Sequence, residues 1–119
     1  EDVCVVTGGN QGVGFGIAAR LHECGARVVL ACRRMAAGRE AADAIQHGLS
    51  ADPNERYGST SPLRSIDPSG DRLPLCPVEV LELDLADVRS IERFVVTLHA
   101  LLRNANVRLH ALVLNAGVM

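Results

Sequence analysis

Two kinds of hydrophobic pattern alternate along the chain: short runs that are apolar at nearly every position, and longer segments in which apolar residues recur every three or four positions. The short runs are rich in valine and leucine, which is typical of strands buried on both faces of a sheet. They predict four strands, at residues 3–7, 26–32 and 78–85 and from residue 109 onward.

The longer segments predict three helices between these strands. The first spans 13–24 and ends at Gly25, where a glycine in the left-handed conformation would stop it. The second spans 35–46. The third begins near Ala86 or Asp87, and its apolar positions predict a buried stripe made of Val88, Ile91, Val95, Leu98 and Leu102.

This alternation of strands and helices predicts an α/β fold with a doubly wound parallel sheet and right-handed connections. The predicted strand order is 3-2-1-4, and a ligand is expected at the carboxyl ends of the first and fourth strands, where the direction of winding reverses. The whole chain, residues 1–119, is predicted to be the amino-terminal part of a single Rossmann-like domain, truncated after the fourth strand.

Residues 47–77 interrupt the pattern. All five prolines of the chain lie in this segment, together with several glycines and serines, and it shows no helical or strand periodicity. Connections inside compact α/β domains are usually much shorter. The segment is therefore predicted to be an irregular insertion that is either disordered or specialised.

The amino-acid composition limits which binding partners and which cellular compartment we expect for the chain. A net charge of −2 and an aromatic content of 3% argue against a nucleic-acid-binding surface. No apolar run reaches the length of a membrane span, so we expect an intracellular, cytoplasmic protein with no membrane segment. The four cysteines form no CxxC pair and the four histidines lack metal-site spacing, so no metal site is expected.

The segment VVTGGNQGVGFG, residues 5–16, places five glycines within nine positions directly after the first strand. A strand, a glycine-rich turn and a helix are typical of a dinucleotide site, where a pyrophosphate lies against the amino-terminal end of the helix. Gly8 allows the sharp turn, while Gly12 and Gly14 remove side chains that would obstruct the phosphates or the packing of the helix. A P-loop is excluded, because the chain contains no lysine to reach the phosphates.

Three motifs at the ends of predicted strands together resemble the short-chain dehydrogenase/reductase family. They are Thr7-Gly8-xxx-Gly12-x-Gly14, Asp84-Leu85 and Asn115-Ala116-Gly117. The sequences around them are similar to the retinol dehydrogenase-like branch, which includes the WW-domain oxidoreductases and, more distantly, the protochlorophyllide reductases.

The resemblance implies a role in binding the cofactor for each motif position. Two positions have structural alternatives: Asp84 as the N-cap of the third helix, and Asn115 as a brace of the central sheet. In the family's arrangement, Asn10, Gln11, Gly12, Val13 and Gly14 would line the pyrophosphate turn, Asp84 and Leu85 would meet the adenine, and Asn115, Ala116 and Gly117 would border the riboses.

The second strand ends at Cys32-Arg33-Arg34, about twenty residues after the glycine turn, where an acidic residue would bind the ribose 2′-hydroxyl of NAD. An arginine at this place suits the 2′-phosphate of NADP instead, because a guanidinium forms charge-assisted contacts with phosphate. NADP, with Arg33 as the better candidate of the two arginines, is therefore predicted over NAD. The alternative for Arg33 is a solvated basic loop.

The family's chemistry uses a serine and a Tyr-xxx-Lys pair in a region that this chain does not include. Its only tyrosine, Tyr57, is followed four positions later by Ser61, so no catalytic residue is assigned and the 119 residues alone are predicted to be inactive. The resemblance implies the cofactor-binding part of an NADP(H)-dependent oxidoreductase that transfers hydride to or from a carbonyl or alcohol substrate. The alternatives are a non-catalytic nucleotide-binding or interaction module and, less favoured, a methyltransferase-like domain.

Overall fold

The computed structural model describes residues 2–47 and 78–115, which form four strands and three helices. In chain order these elements are β1 (Asp2–Thr7), α1 (Gly12–Glu23), β2 (Arg27–Cys32), α2 (Met35–His47), β3 (Glu79–Glu82), α3 (Val88–Ala105) and β4 (Arg108–Val113). The predicted insertion lies outside the described residues except for His47, which is the last residue of α2 rather than part of the insertion.

The four strands form one parallel sheet in the order β3-β2-β1-β4. Val5 in β1 lies opposite Val29 of β2 on one side and Leu112 of β4 on the other. The pairing of β1 with β4 shifts register between Val3 and Cys4. The predicted fold class and strand order are both confirmed, and the winding reverses between β1 and β4.

Helices cover the sheet on both faces, and each face has its own hydrophobic core. On one face α1 and α2 pack against β1 and β2 through a cluster that includes Phe15, Val6 and Leu30. On the other face α3 packs through Phe94 on a cluster that includes Val5. Alternate residues of β1 and β2 thus point to opposite cores, which explains why these two strands are apolar at nearly every position.

Gly38 brings α2 close to the sheet. A Cβ atom at this position would lie 2.5 Å from a methyl carbon of Val80 and 3.0 Å from the Sγ atom of Cys32. The glycine costs helix propensity, but it lets the helix approach strands β2 and β3 without a steric clash.

The ends of the helices follow local signals. Cys24 caps α1 and is followed by Gly25, whose φ angle is +91°, as the sequence predicts. The backbone N–H of Gly25 donates to the carbonyl oxygen of His22 at 3.0 Å. At the end of α3, Asn106 takes the left-handed conformation with a φ angle of +52°. No helix within the described part of the chain is long and apolar enough to cross a membrane.

The stripe predicted for α3 packs on the core at three of its five positions. Phe94 and Ser90 are the buried residues of this helix, whereas Val88 and Val95 are exposed to solvent. The remaining positions of the stripe are partly buried against the core. The periodicity identified an apolar flank of the helix, but two of its five positions are left exposed by residues 2–47 and 78–115.

Candidate functional site

The candidate site lies at the carboxyl ends of β1 and β4, beside the turn that joins β1 to α1. Gly8 and Gly12 in this turn have φ angles of +66° and +60°, a conformation that favours glycine. The N–H of Gly8 donates to the carbonyl oxygen of Ala31 at 2.9 Å, which ties the start of the turn to β2. Asn10 is half-buried and Gln11 exposed, so the turn presents its later residues outward.

Gly14 is buried in the first turn of α1, where helix and sheet approach most closely. A Cβ atom there would lie 2.5 Å from the carbonyl oxygen of Gly8 and 2.5 Å from the Nδ2 atom of Asn115. Real Cβ atoms do not make such contacts, so any side chain would force the helix away from the turn. This distance gives a physical reason for the predicted role of Gly14 in helix packing.

Thr7 and Asn115 join the ends of β1 and β4. The Thr7 hydroxyl donates to the carbonyl oxygen of Val113 at 3.1 Å and accepts from the N–H of Asn115 at 3.0 Å. The side-chain amide of Asn115 then donates to the carbonyl oxygen of Gly8 at 3.2 Å. The alternative in which Asn115 braces the sheet is therefore supported by direct contacts.

The amino-terminal end of α1 faces the site without a side-chain cap. Gln11 is the N-cap residue, but its side chain makes no capping hydrogen bond, and the first turn contains no acidic residue. The first turn of a helix presents backbone N–H groups and the positive end of the helix dipole, which together bind anions. Val13, in the same turn, is 74% exposed. The helix end is thus available to a negatively charged ligand.

Arg33 and Arg34 follow the last residue of β2, at the same edge of the sheet. Both side chains are exposed, and neither forms an ion pair with any other residue of the described ranges. α2 begins directly after them, at Met35, and has no acidic residue in its first turn. Two exposed arginines therefore directly precede the positive end of a second helix.

Asp84 and Leu85 follow β3 at this edge. The backbone N–H of Asp84 donates to the buried hydroxyl of Ser90 at 2.8 Å, and its carboxylate accepts from the N–H of Ala86 at 3.0 Å. The alternative in which Asp84 caps α3 is wrong, because Asp87 is the N-cap and accepts from the N–H of Arg89 at 3.0 Å. Asp84 instead forms a tight turn before the helix, and the exposed Leu85 lies in that turn.

The structure brings Gly8, Gly14 and Asn115 into direct contact and places Arg33 and Asp84 at the ends of two neighbouring strands. Ala116 and Gly117 lie outside the described residues. Thr7 belongs to the first predicted motif, but its hydrogen bonds were not predicted, although a hydroxyl at the end of a buried, β-branched strand is a signal that it needs a hydrogen-bond partner. Ser90 was also not predicted as a buried residue, because it lies outside the apolar stripe of α3 and its position in the sequence gave no signal.

The described residues near the site include one thiol with a shifted pKa and no group of metal ligands. Burial raises the pKa of the Cys32 thiol from 9.0 to about 11, because desolvation disfavours the thiolate. No group of three or more potential metal ligands occurs among residues 2–47 and 78–115.

Known proteins share this arrangement. The family profile described as short chain dehydrogenase matches residues 2–53. The WW domain-containing oxidoreductase of Danio rerio is 35% identical over 118 residues, which covers 99% of this chain and 22% of that protein. Retinol dehydrogenase 14 of Homo sapiens is 32% identical over 114 residues, which covers 96% of this chain and 30% of that protein. Over residues 2–53 the chain is therefore similar to the short-chain dehydrogenase family.

Solved structures of the family have the same fold. A metagenomic short-chain oxidoreductase, crystallised in complex with NADP, matches with a TM-score of 0.64 and 28% identity, over 98% of this chain and 39% of that one. The resemblance to this family and to its retinol dehydrogenase and WW-domain oxidoreductase branch, predicted from the three motifs, is confirmed. The chain spans only 22%, 30% and 39% of the lengths of these three proteins.

Proposed function

We propose that the chain is the cofactor-binding part of an NADP(H)-dependent oxidoreductase, which transfers hydride between the nicotinamide and a carbonyl or alcohol substrate. The observation that carries this proposal is the uncapped amino-terminal end of α1, which lies behind the glycine turn with no acidic residue in its first turn. A pyrophosphate supplies the negative charge that such a helix end attracts. The cofactor, when bound, supplies the hydride.

The residues of the site fit a dinucleotide. The turn from Asn10 to Gly14 holds the pyrophosphate, because Gly12 and Gly14 leave no side chain between the ligand and the backbone N–H groups. Asp84 and Leu85 border the adenine, where the exposed leucine offers an apolar surface to the base. Asn115, Ala116 and Gly117 border the riboses.

Arg33 decides between the two cofactors in this proposal. It lies at the end of β2, next to the start of α2, and has no ion-pair partner within the described residues. A free guanidinium at this place binds the 2′-phosphate of NADP, whereas NAD offers only a hydroxyl there. The NADP complex of a relative with the same fold supports this preference.

The test compares the affinity for NADPH with that for NADH in the full-length protein and its variants, by fluorescence titration. Arg33→Ala should weaken the binding of NADPH by about 1.5 to 3 kcal/mol and leave that of NADH unchanged, since only NADPH carries the phosphate. Arg103→Ala, which removes an exposed arginine at the far end of α3, is the matched control and should change neither affinity. An unchanged ratio in Arg33→Ala would show that Arg33 is only a surface charge.

A second candidate is a non-catalytic nucleotide-binding module. These 119 residues contain no lysine, so the nucleotide site described above is present without the family's Tyr-xxx-Lys pair. The reading frame that encodes the chain separates the two candidates. A serine and a Tyr-xxx-Lys pair encoded downstream of residue 119 identify the oxidoreductase, whereas their absence there identifies the module.

A further inference from the structure

A buried serine in the first turn of α3 is bonded to the connection between β3 and α3. Ser90 is 2% exposed, and its hydroxyl accepts a hydrogen bond from the backbone N–H of Asp84 at 2.8 Å. The other buried residue of this helix, Phe94, is apolar and packs on the core. The hydroxyl of Ser90 is therefore buried for the sake of one backbone N–H outside its own helix.

Two further hydrogen bonds close this connection into a tight turn, residues 84–87, called here the Asp84 turn. The Oδ1 atom of the Asp84 carboxylate accepts from the N–H of Ala86 at 3.0 Å. The carbonyl oxygen of Asp84 accepts from the N–H of Asp87 at 3.1 Å. Three backbone or side-chain groups of Asp84 thus define the conformation of the turn.

Both ends of the Asp84 turn are anchored to the rest of the fold. Just before it, the N–H of Leu83 donates to the carbonyl oxygen of Cys32 at 2.9 Å, which fixes the turn to β2. Ser90 provides the anchor on the side of α3. Without the hydroxyl of Ser90, the partly buried N–H of Asp84 loses its acceptor and must turn toward water. The orientation of the turn therefore depends on this serine.

The Asp84 turn leaves one acceptor and one donor open at the carboxyl edge of the sheet. Within residues 2–47 and 78–115, the Oδ2 atom of Asp84 accepts no hydrogen bond and the backbone N–H of Leu85 donates none. The side chain of Leu85 is exposed beside them. An acceptor, a donor and an apolar side chain together match the Watson–Crick edge and the face of a purine base.

Two purines differ in how they meet such a turn. Adenine presents an amino group and an unprotonated ring nitrogen, whereas hypoxanthine presents a carbonyl oxygen and a ring N–H at the same places. Against the Asp84 turn, hypoxanthine would set its carbonyl oxygen against the carboxylate and its N–H against the N–H of Leu85. Mismatched polar groups discriminate strongly between ligands, so the orientation of the turn decides how well adenine is preferred.

From these bonds we infer that Ser90 is a positioning residue, which sets the preference of the site for adenine over hypoxanthine by holding the Asp84 turn. The inference rests on the proposed function, in which Asp84 and Leu85 border the adenine of the cofactor. Ser90 acts through Asp84, since its hydroxyl is buried and bonded to the backbone of that residue. Its removal should therefore change the recognition of the base more than that of the phosphates.

The structure offers a deletion, a conservative variant and a matched control. Ser90→Ala removes the hydroxyl and has the greater helix propensity, so α3 should still form. Ser90→Thr keeps the hydroxyl, and the cavity of about 210 Å³ that Ser90 lines leaves room for the added methyl group. Thr97→Val removes another hydroxyl that lines this cavity, but that hydroxyl donates to the carbonyl oxygen of Arg93 within α3.

The test measures the dissociation constants of NADPH and of reduced nicotinamide hypoxanthine dinucleotide phosphate, by fluorescence titration of the full-length protein and its variants. The wild type, Ser90→Thr and Thr97→Val should prefer NADPH. Ser90→Ala should bind NADPH about tenfold more weakly and the hypoxanthine analogue at most about twofold more weakly, so the ratio of the two constants should fall about fivefold. Ser90→Cys, whose thiol is a weak acceptor, is a second deletion and should give the same fall.

A merely structural role of Ser90 would weaken both dinucleotides equally, so an unchanged ratio in Ser90→Ala and Ser90→Cys would overturn the inference. An equal fall of the ratio in Ser90→Thr or Thr97→Val would overturn it too, because the hydroxyl of Ser90 would then not be the group responsible. A wild type that binds both dinucleotides equally well would show that the Asp84 turn does not read the base. These failures all leave NADPH binding by the wild type intact, whereas a wild type that binds no NADPH contradicts the proposed function itself.

Discussion

The side-chain amide of Asn115 donates to the carbonyl oxygen of Gly8 at 3.2 Å, across 107 positions of sequence. This bond fastens the end of β4 to the start of the glycine turn, while the Asn115 N–H is held by the Thr7 hydroxyl. The two motifs at the ends of β1 and β4 are therefore one structural unit. A change at Asn115 should therefore alter the turn that is proposed to hold the pyrophosphate.

Asn115→Ala should lower the free energy of unfolding by about 1 kcal/mol, because the carbonyl of Gly8 loses its side-chain donor. It should also weaken the binding of NADPH and of NADH equally, since the pyrophosphate that the turn is proposed to hold is common to both. Urea unfolding and nucleotide titration measure the two effects. Asn104→Ala, on the exposed surface of α3, is the control, and equal effects of the two substitutions would contradict the prediction.

Thr7→Val should lower the free energy of unfolding more than Thr7→Ser does. The Thr7 hydroxyl is buried and takes part in two hydrogen bonds, one to Val113 and one from Asn115, which valine cannot replace. We expect a loss of about 1–3 kcal/mol for valine, since a carbonyl oxygen and an N–H lose their partner. Serine keeps the hydroxyl and should retain most of the stability in urea unfolding. A valine variant as stable as the serine variant would show that these bonds contribute little.

Gly14→Ala and Gly16→Ala form a matched pair within the first turns of α1. A Cβ atom at Gly14 would meet the carbonyl oxygen of Gly8 at 2.5 Å, whereas one at Gly16 meets nothing within 4 Å. Gly14→Ala should therefore cost about 1–3 kcal/mol of stability and weaken nucleotide binding. Gly16→Ala should be neutral or stabilise the protein by up to about 1 kcal/mol through helix propensity. In thermal unfolding, a midpoint of Gly14→Ala above that of Gly16→Ala would contradict this prediction.

Much of the fold was predictable, because strand order and glycine placement follow from local patterns. The apolar runs and the turn at Gly8 predict a parallel sheet wound from β1, and the close approach at Gly14 follows from the same motif. The hydrogen bonds of Thr7 were not predictable, since they depend on how β1 and β4 align across most of the chain. The exposure of Val95 could not be predicted either, for a related reason. Periodicity identifies an apolar flank, but it does not show whether a neighbour covers that flank.

Cys32 gives a prediction that depends on pH. Burial holds the pKa of its thiol at about 11, above the value of 9.0 that it has when the chain is unfolded. Because the raised pKa means that the folded state favours the neutral thiol, the full stability is present below pH 9.0 and is lost as the pH rises toward about 11.

The wild-type protein should therefore lose more stability between about pH 8 and pH 10 than Cys32→Ala does, since alanine cannot ionise. Urea unfolding at the two pH values measures this difference. Cys24→Ala is the control, because Cys24 is exposed. This variant should lose as much stability between the two pH values as the wild type does. Labelling at pH 8 adds a second measurement, in which Cys24 reacts quickly while the buried Cys32 does not. If Cys32→Ala lost as much stability as the wild type, ionisation of this thiol would play no part in the stability of the fold at high pH.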